Sequence, residues 1–318
     1  MLAMPGPYSA NAFTLAPASP QAAAISRLFV GTLIFLGLIL VLVTFLVIYA
    51  IIRYRDRPGV PEARQNFGSR KLETIWTVLP ILSLIVLTAL TASTMRTGDP
   101  ATAVDDPDLR IVAHQWWWEI HYPKSGVIAS NEIHIPVGRS LSVELRSADV
   151  IHDFWAPQLA RKIDIVPGHP NYLRLEADHP GTYLGVCSEF CGTEHAWMRF
   201  QVIAQPPDRF AEWLRAQEAA PPAPTSPEAI QGAQIFADRT CANCHAVAST
   251  VATGTIGPDL THIASRRMLA AGALENTPAN LVMWLHNPEE FKPGSHMPNL
   301  HLSKSDLNAL VAYLETLK

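Results

Sequence analysis

Two stretches of the chain run without a charged residue for longer than a bilayer is thick. Leu28 to Ile52 lies between Arg27 and Arg53, and Thr74 to Met95 lies between Glu73 and Arg96. A hydrocarbon core of about 30 Å needs about 20 apolar residues in a helix, so both stretches predict membrane spans, the first long enough to tilt. Past residue 108 the pattern changes to short runs that alternate or are rich in β-branched and aromatic residues. These are Leu109 to His121, Glu132 to Pro136, Ser140 to Leu145 and Tyr172 to Glu176. Turn pairs such as Val137-Gly138, Pro167-Gly168 and Pro180-Gly181 separate them, which predicts an antiparallel barrel or sandwich. Helical periodicity returns over 208–218, over Pro278 to His286, and over Ser305 to Leu317, where Ser303 and Asp306 stand as an approximate capping box. Ala219 to Pro227 is Ala- and Pro-rich and predicts a stiff, extended linker.

These segments divide the 318 residues into a short N-terminal part (1–26), a membrane hairpin (27–96), an all-β domain (97–205), a helix with the Pro-rich linker (206–227) and an all-α domain (228–318). The two spans account for a hydrophobic content of 48%. Arg53, Arg55, Arg57, Arg64, Arg70 and Lys71 fall in the loop between the spans, whereas residues 1–26 have no Lys or Arg. The bias of basic residues places that loop in the cytoplasm and both termini outside. With no charged n-region, the first span reads as a retained anchor, and processing near residues 16–24 stays open. A net charge of −4 gives no reason to expect a nucleic-acid partner.

The four cysteines form two tight pairs. Cys241-Ala242-Asn243-Cys244-His245 is the Cys-x-x-Cys-His pattern of covalent haem c attachment, in which two thiols bond the haem vinyls and the imidazole ligates iron. Haem c is attached outside the cytoplasm, where the basic-residue bias also puts this segment. The second axial ligand is expected among Met268, Met283 and Met297. Met297 precedes Pro298 in a loop and is favoured, Met283 is expected to pack in a helix core, and His296 is a rival ligand. Cys187, Cys191, His195 and Met198 fall within twelve residues, and His152 lies upstream beside a predicted strand. Two thiols could form a disulfide, or with two imidazoles hold tetrahedral zinc. The thioether points instead to copper, and a thiolate pair can bridge two ions.

The run Cys-Ser-Glu-x-Cys-Gly-x-x-His-x-x-Met resembles the dinuclear CuA signature of cytochrome c oxidase subunit II. The same family is similar over Glu73-Thr74-Ile75-Trp76-Thr77-Val78-Leu79-Pro80, His114-Gln115-Trp116-Trp117-Trp118, His152-Asp153-Phe154-Trp155 and Lys162-Ile163-Asp164-Ile165-Val166-Pro167-Gly168. With the haem motif appended, the chain resembles the caa-type variant: a transmembrane hairpin, a cupredoxin-like CuA domain and a class I cytochrome c domain. Where the family often has Pro-Gly-Arg, this chain has Pro167-Gly168-His169, outside the metal ligands.

The resemblance implies that Cys187 and Cys191 are bridging thiolates, His152 and His195 terminal ligands, Met198 a weak ligand and the Glu189 carbonyl another. It further implies a magnesium ion reached by the Glu189 side chain at the subunit I interface, Trp116 as the point where electrons enter, and Glu73 at the mouth of a proton channel. For Trp116, packing or docking within the chain is the alternative; for Glu73, a helix N-terminal charge. The implied setting is a bacterial cytoplasmic membrane, with both redox domains on the periplasmic side. Subunits I and III would be partners, and a cytochrome c or a quinol–cytochrome c reductase the donor. The dioxygen-reducing site would lie in subunit I. A CuA-containing nitric oxide reductase and a stand-alone membrane electron carrier are the alternatives.

Overall fold

The computed structural model describes residues 15–55, 57–59, 67–97 and 105–318. Arg64 of the basic loop and most of the segment before the first span lie outside the described residues.

The membrane hairpin consists of α1 (Pro20–Arg53) and α2 (Arg70–Thr97). Their large aliphatic side chains are exposed on every face, the composition that a lipid solvent selects. In α2 the hydroxyls of Thr74, Ser83, Thr91 and Thr94 donate to the carbonyl four residues back, at 2.8–3.0 Å. Each hydroxyl is thereby satisfied inside its own helix, as an apolar medium demands.

The β domain is built from β1 (Leu109–His114), β2 (Trp117–Tyr122), β3 (Val127–Ser130), β4 (Glu132–Pro136), β5 (Leu141–Ser147), β6 (His152–Trp155), β7 (Ile163–Ile165), β8 (Asn171–Leu175), β9 (Gly181–Cys187) and β10 (Arg199–Gln205). They form two five-stranded sheets, ordered β3-β2-β1-β5-β8 and β4-β10-β9-β6-β7. The sandwich is mainly antiparallel, as expected, with β1 and β5, and β4 and β10, as parallel pairs. Alternation sends Leu109, Ile111 and Ala113 inward from β1. Trp118, Phe154 and Phe200 form the centre, with ring centroids 4.5–5.8 Å apart. Gly185 makes room for them, because a Cβ there would lie 2.1 Å from the Phe200 ring.

The run expected as one strand over 109–121 is a hairpin that reverses at Gln115-Trp116. Polar contacts to other segments hold the reversal: the Gln115 amide donates to the Asp149 carboxylate at 2.6 Å, and its side chain to the Cys191 carbonyl at 2.7 Å.

The start of α1 belongs to the β domain. Ser19 is buried, and its hydroxyl donates to the Leu159 carbonyl at 2.5 Å. The Ala18 amide donates to Gln158 O, and its carbonyl accepts from Asp178 N. At the other end α3 (Pro207–Glu218) lies on the sandwich, with Trp213 stacked on His134 at 4.0 Å.

The all-α domain contains α4 (Pro227–Asp238), a short α5 (Cys241–Cys244), α6 (Pro278–His286), α7 (Pro288–Phe291) and α8 (Lys304–Leu314), with a small hairpin of β11 (Met268–Leu269) and β12 (Leu274–Glu275). Side-chain caps start three of the helices: Ser226, Thr277 and Ser303 each accept an amide three residues on. α4 crosses α8 at Gly232, where an added Cβ would sit 1.9 Å from the Ala309 carbonyl oxygen, and Phe236 meets Tyr313 edge-on beside the crossing.

The two domains touch directly. One Glu132 oxygen accepts the amides of Arg267 and Met268 at 2.7 and 2.9 Å. The Arg199 amide donates to Ala271 O, and His262 Nε2 donates to Gln217 O at 3.0 Å. The haem-motif domain is therefore seated on the sandwich as well as tethered to it.

Candidate copper and haem sites

β9 ends on Cys187, and the loop beyond it carries Cys191. A single 3₁₀ turn, His195–Trp197, then delivers Met198 at the edge of β10. β6 begins at His152, and its pairing sets Phe154 opposite Cys187, which brings the imidazole beside the thiol. The Cys187 Sγ lies 3.7 Å from Cys191 Sγ, 3.8 Å from His152 Nδ1 and 3.2 Å from the Glu189 carbonyl oxygen. The Cys191 Sγ lies 3.6 Å from His195 Nδ1 and 3.8 Å from Met198 Sδ. His152, both cysteines and Met198 are buried.

Both cysteines are free thiols. With the sulfur pair itself, the cluster offers six donors, more than the four of structural zinc. Thiolate, thioether and imidazole together suit copper, so the donor set fits a dinuclear copper centre. Burial alone would lower the His152 pKa, but hydrogen bonds to Asp149 and Cys187 more than offset it and the pKa is raised. A Cys187 thiolate is stabilised chiefly by the Cys191 thiol, which lowers the Cys187 pKa. The remaining proton on Cys191 is held correspondingly harder.

The haem motif opens on a cavity of about 440 Å³, lined by Cys241, Cys244, His245 and Met297 among mostly apolar side chains, with Gln115, Trp116, Trp117, Asn131 and Glu194 of the β domain also in its wall. His245 Nδ1 donates to the Pro258 carbonyl at 2.7 Å, which fixes the tautomer and leaves the Nε2 lone pair available to a metal. Burial lowers the His245 pKa and so keeps the ring neutral. Gly257 packs flat on the imidazole, since a Cβ there would meet Cε1 at 2.5 Å. A largely apolar cavity with two adjacent thiols and an oriented imidazole fits covalent haem. Arg266, which sequence reasoning passed over, also lines the cavity and donates to the Asp259 carbonyl.

Of the three methionines, Met297 and Met268 line the cavity. Met283, expected to pack in a core, is instead 42% exposed on α6: the apolar run Leu281-Val282-Met283-Trp284-Leu285 covers more than the one face that the helix buries. His296 turns to Trp116, with ring centroids 4.6 Å apart.

Trp116 joins the two sites. Its indole Nε1 donates to the Cys191 carbonyl at 2.9 Å, and its ring forms part of the haem cavity wall. It lies at the hairpin reversal rather than in a strand and is 8% exposed. Glu73 stands in the first turn of α2, and Glu189 is exposed on the copper loop. Asp149, Glu132, Glu194 and Lys292 support the sites without any local motif to announce them.

Residues 7–93 match the profile of the cytochrome c oxidase subunit II transmembrane domain, 125–205 that of its periplasmic domain, and 229–318 that of cytochrome c. The cytochrome c oxidase subunit 2 of Alkalihalophilus pseudofirmus is 38% identical over 97% of this chain and 91% of its own. That of Bacillus sp. (strain PS3) is 34% identical over 83% of this chain and 80% of its own. The solved periplasmic domain of cytochrome oxidase subunit II from Bradyrhizobium japonicum is 29% identical, with a TM-score of 0.34, and covers 36% of this chain and 97% of that one. A membrane hairpin, a sulfur-rich copper cage and a haem-binding domain in one chain define an electron-transfer subunit of a membrane oxidase. The chain belongs to the cytochrome c oxidase subunit II family, in the form that carries a fused cytochrome c domain.

Proposed function

We propose that this chain receives electrons singly from an external donor at haem c, passes them to CuA and delivers them to the haem of subunit I. There dioxygen is reduced to water with proton translocation. Haem iron and the copper pair, when bound, each supply a reversible one-electron couple. Cys241 and Cys244 would hold the haem covalently, with His245 and Met297 as the ligands of its iron. His152, Cys187, Cys191, His195, Met198 and the Glu189 carbonyl hold the copper. The observation that carries this reading is Trp116, whose indole reaches a copper-ligand carbonyl on one side and the haem cavity on the other. It is the side chain through which electrons enter the copper site.

The exposed Glu189 carboxylate is positioned on the copper loop to reach a magnesium ion shared with subunit I, and Glu73 to feed a proton channel. Subunit III completes the complex, and a soluble or membrane-bound cytochrome c or a quinol–cytochrome c reductase is the donor. The setting is a bacterial cytoplasmic membrane with residues 97–318 on the periplasmic side, divided into the copper domain (97–205), the helix and linker (206–227) and the cytochrome (228–318). Gas consumption by the complex that co-purifies with a C-terminally tagged chain tests this reading. Rapid, cyanide-sensitive dioxygen uptake with a reduced artificial donor is expected. Loss of nitric oxide with little dioxygen uptake would replace the reaction, and neither activity would leave a stand-alone carrier.

A further inference from the structure

The loop that carries Met297 is seated on the loop that carries the copper ligands. Lys292 Nζ lies 2.8 Å from Glu194 Oε2, and both side chains are at most 4% exposed. Two residues on, Gly294 has φ +95°, and a Cβ there would meet the Thr193 side chain at 2.7 Å. Two further on, His296 meets the Trp116 ring. Glu194 is the immediate neighbour of His195, and Lys292 stands five residues before Met297. Each charge therefore sits at the base of a ligand loop, and each belongs to a different domain.

We propose that the Glu194–Lys292 pair is a positioning device: it fixes the haem's ligand loop against the copper's ligand loop and so sets the rate of electron transfer between them. The proposal rests on the haem and copper assignments above. A buried pair is a costly way to gain stability, since removing two charges from water offsets most of their attraction and apolar residues of the same volume do as well. What such a pair supplies is register. Two buried charges on different domains meet in one placement of those domains, and a slip of about an ångström leaves both unpaired. The step it governs makes and breaks no bond. One electron leaves the haem iron and is gained by the copper pair, so spacing and contact along Met297, His296, Trp116 and Cys191 are what the protein contributes.

The test uses the full chain in its complex, with haem and copper loaded, reduced rapidly at the haem and followed at both chromophores. Lys292→Met should slow the haem-to-copper step by about tenfold or more, as small misplacements of reacting partners do, with both optical spectra unchanged. The reciprocal pair Glu194→Lys with Lys292→Glu should recover part of that loss. Amide exchange, a readout independent of electron flow, should quicken in 192–198 and 292–297 together in Lys292→Met. A wild-type rate or unchanged exchange in that variant overturns the proposal.

The unaltered protein gives a second test that does not depend on any variant folding. A buried pair is screened little by salt, so the step should keep its rate from low to high ionic strength. A steep fall would put the controlling charges at the surface and overturn the proposal. Absence of the haem or copper spectrum from the unaltered chain would instead overturn the site assignments beneath it.

Discussion

The Asp149 carboxylate accepts a hydrogen bond from His152 Nε2 at 2.7 Å, on the far side of the ring from the Cys187 sulfur. It also accepts the amides of Gln115 and Val150, each at 2.6 Å, so it is fixed before it orients the imidazole. Carboxylates in that relation to a metal-binding histidine raise its basicity and hold its angle. Asp149→Ala should weaken copper binding by about 10- to 100-fold and leave the haem spectrum intact. Competition with a graded copper chelator measures it.

Met198 is fully buried against Cys191. Exchange of Met for Leu is close to volume-conserving and costs less than about 1.5 kcal/mol, so Met198→Leu tests ligation with little effect on folding. The copper optical and spin-resonance spectra should change while the haem bands do not. An unchanged copper spectrum would remove Met198 from the ligand set.

Glu144 takes hydrogen bonds from Arg110 at 2.5 Å and Arg146 at 2.6 Å. Burial alone would raise its pKa, but the two guanidinium groups more than offset that and hold it below the ordinary 4.5. The unfolded chain then takes up the proton first as pH falls, so this group's stabilisation is full above about 4.5 and is lost as pH drops through the folded value. Glu144→Gln should therefore lower the melting temperature of the copper domain at neutral pH. The difference from the unaltered protein should shrink below pH about 4.5, read from the copper absorbance on heating.

Gly232 lets α4 cross α8 with backbone contact. Gly232→Ala gains helix propensity but must force the helices apart, and overpacking of this kind costs about 1–3 kcal/mol or more. Denaturant unfolding followed at the haem should show a lower midpoint, with the copper domain unaffected.

Gln158 donates to the Ala16 carbonyl, and residues 18 and 19 are buried in the β domain. Processing within 16–24 would cut a folded part of the sandwich. N-terminal sequencing of the mature protein should find a start before residue 16.

Much of this was legible in the sequence because its chemistry is local. Cys187 to Met198 and Cys241 to His245 carry most of the candidate ligands within a dozen residues, and charge-free runs declare the spans. His152 is visible in the sequence only as a second imidazole upstream, since its place beside Cys187 depends on β6 pairing with β9. The strand run over 109–121 misled because the hairpin reversal is enforced from Asp149 and Cys191, far along the chain. Glu132 with Arg267, and Glu194 with Lys292, were invisible for the same reason. Each is an ordinary surface-type residue until two domains close over it.

Trp116 sits beneath His296 and out of solvent, and this shapes the kinetics of the whole chain. If electrons reach copper through Trp116 as proposed, a donor free in solution does not touch that route, and its concentration belongs only in the rate law for reducing the haem. Reduction of the copper is then first order, and saturating the protein with donor leaves its rate constant where it stands.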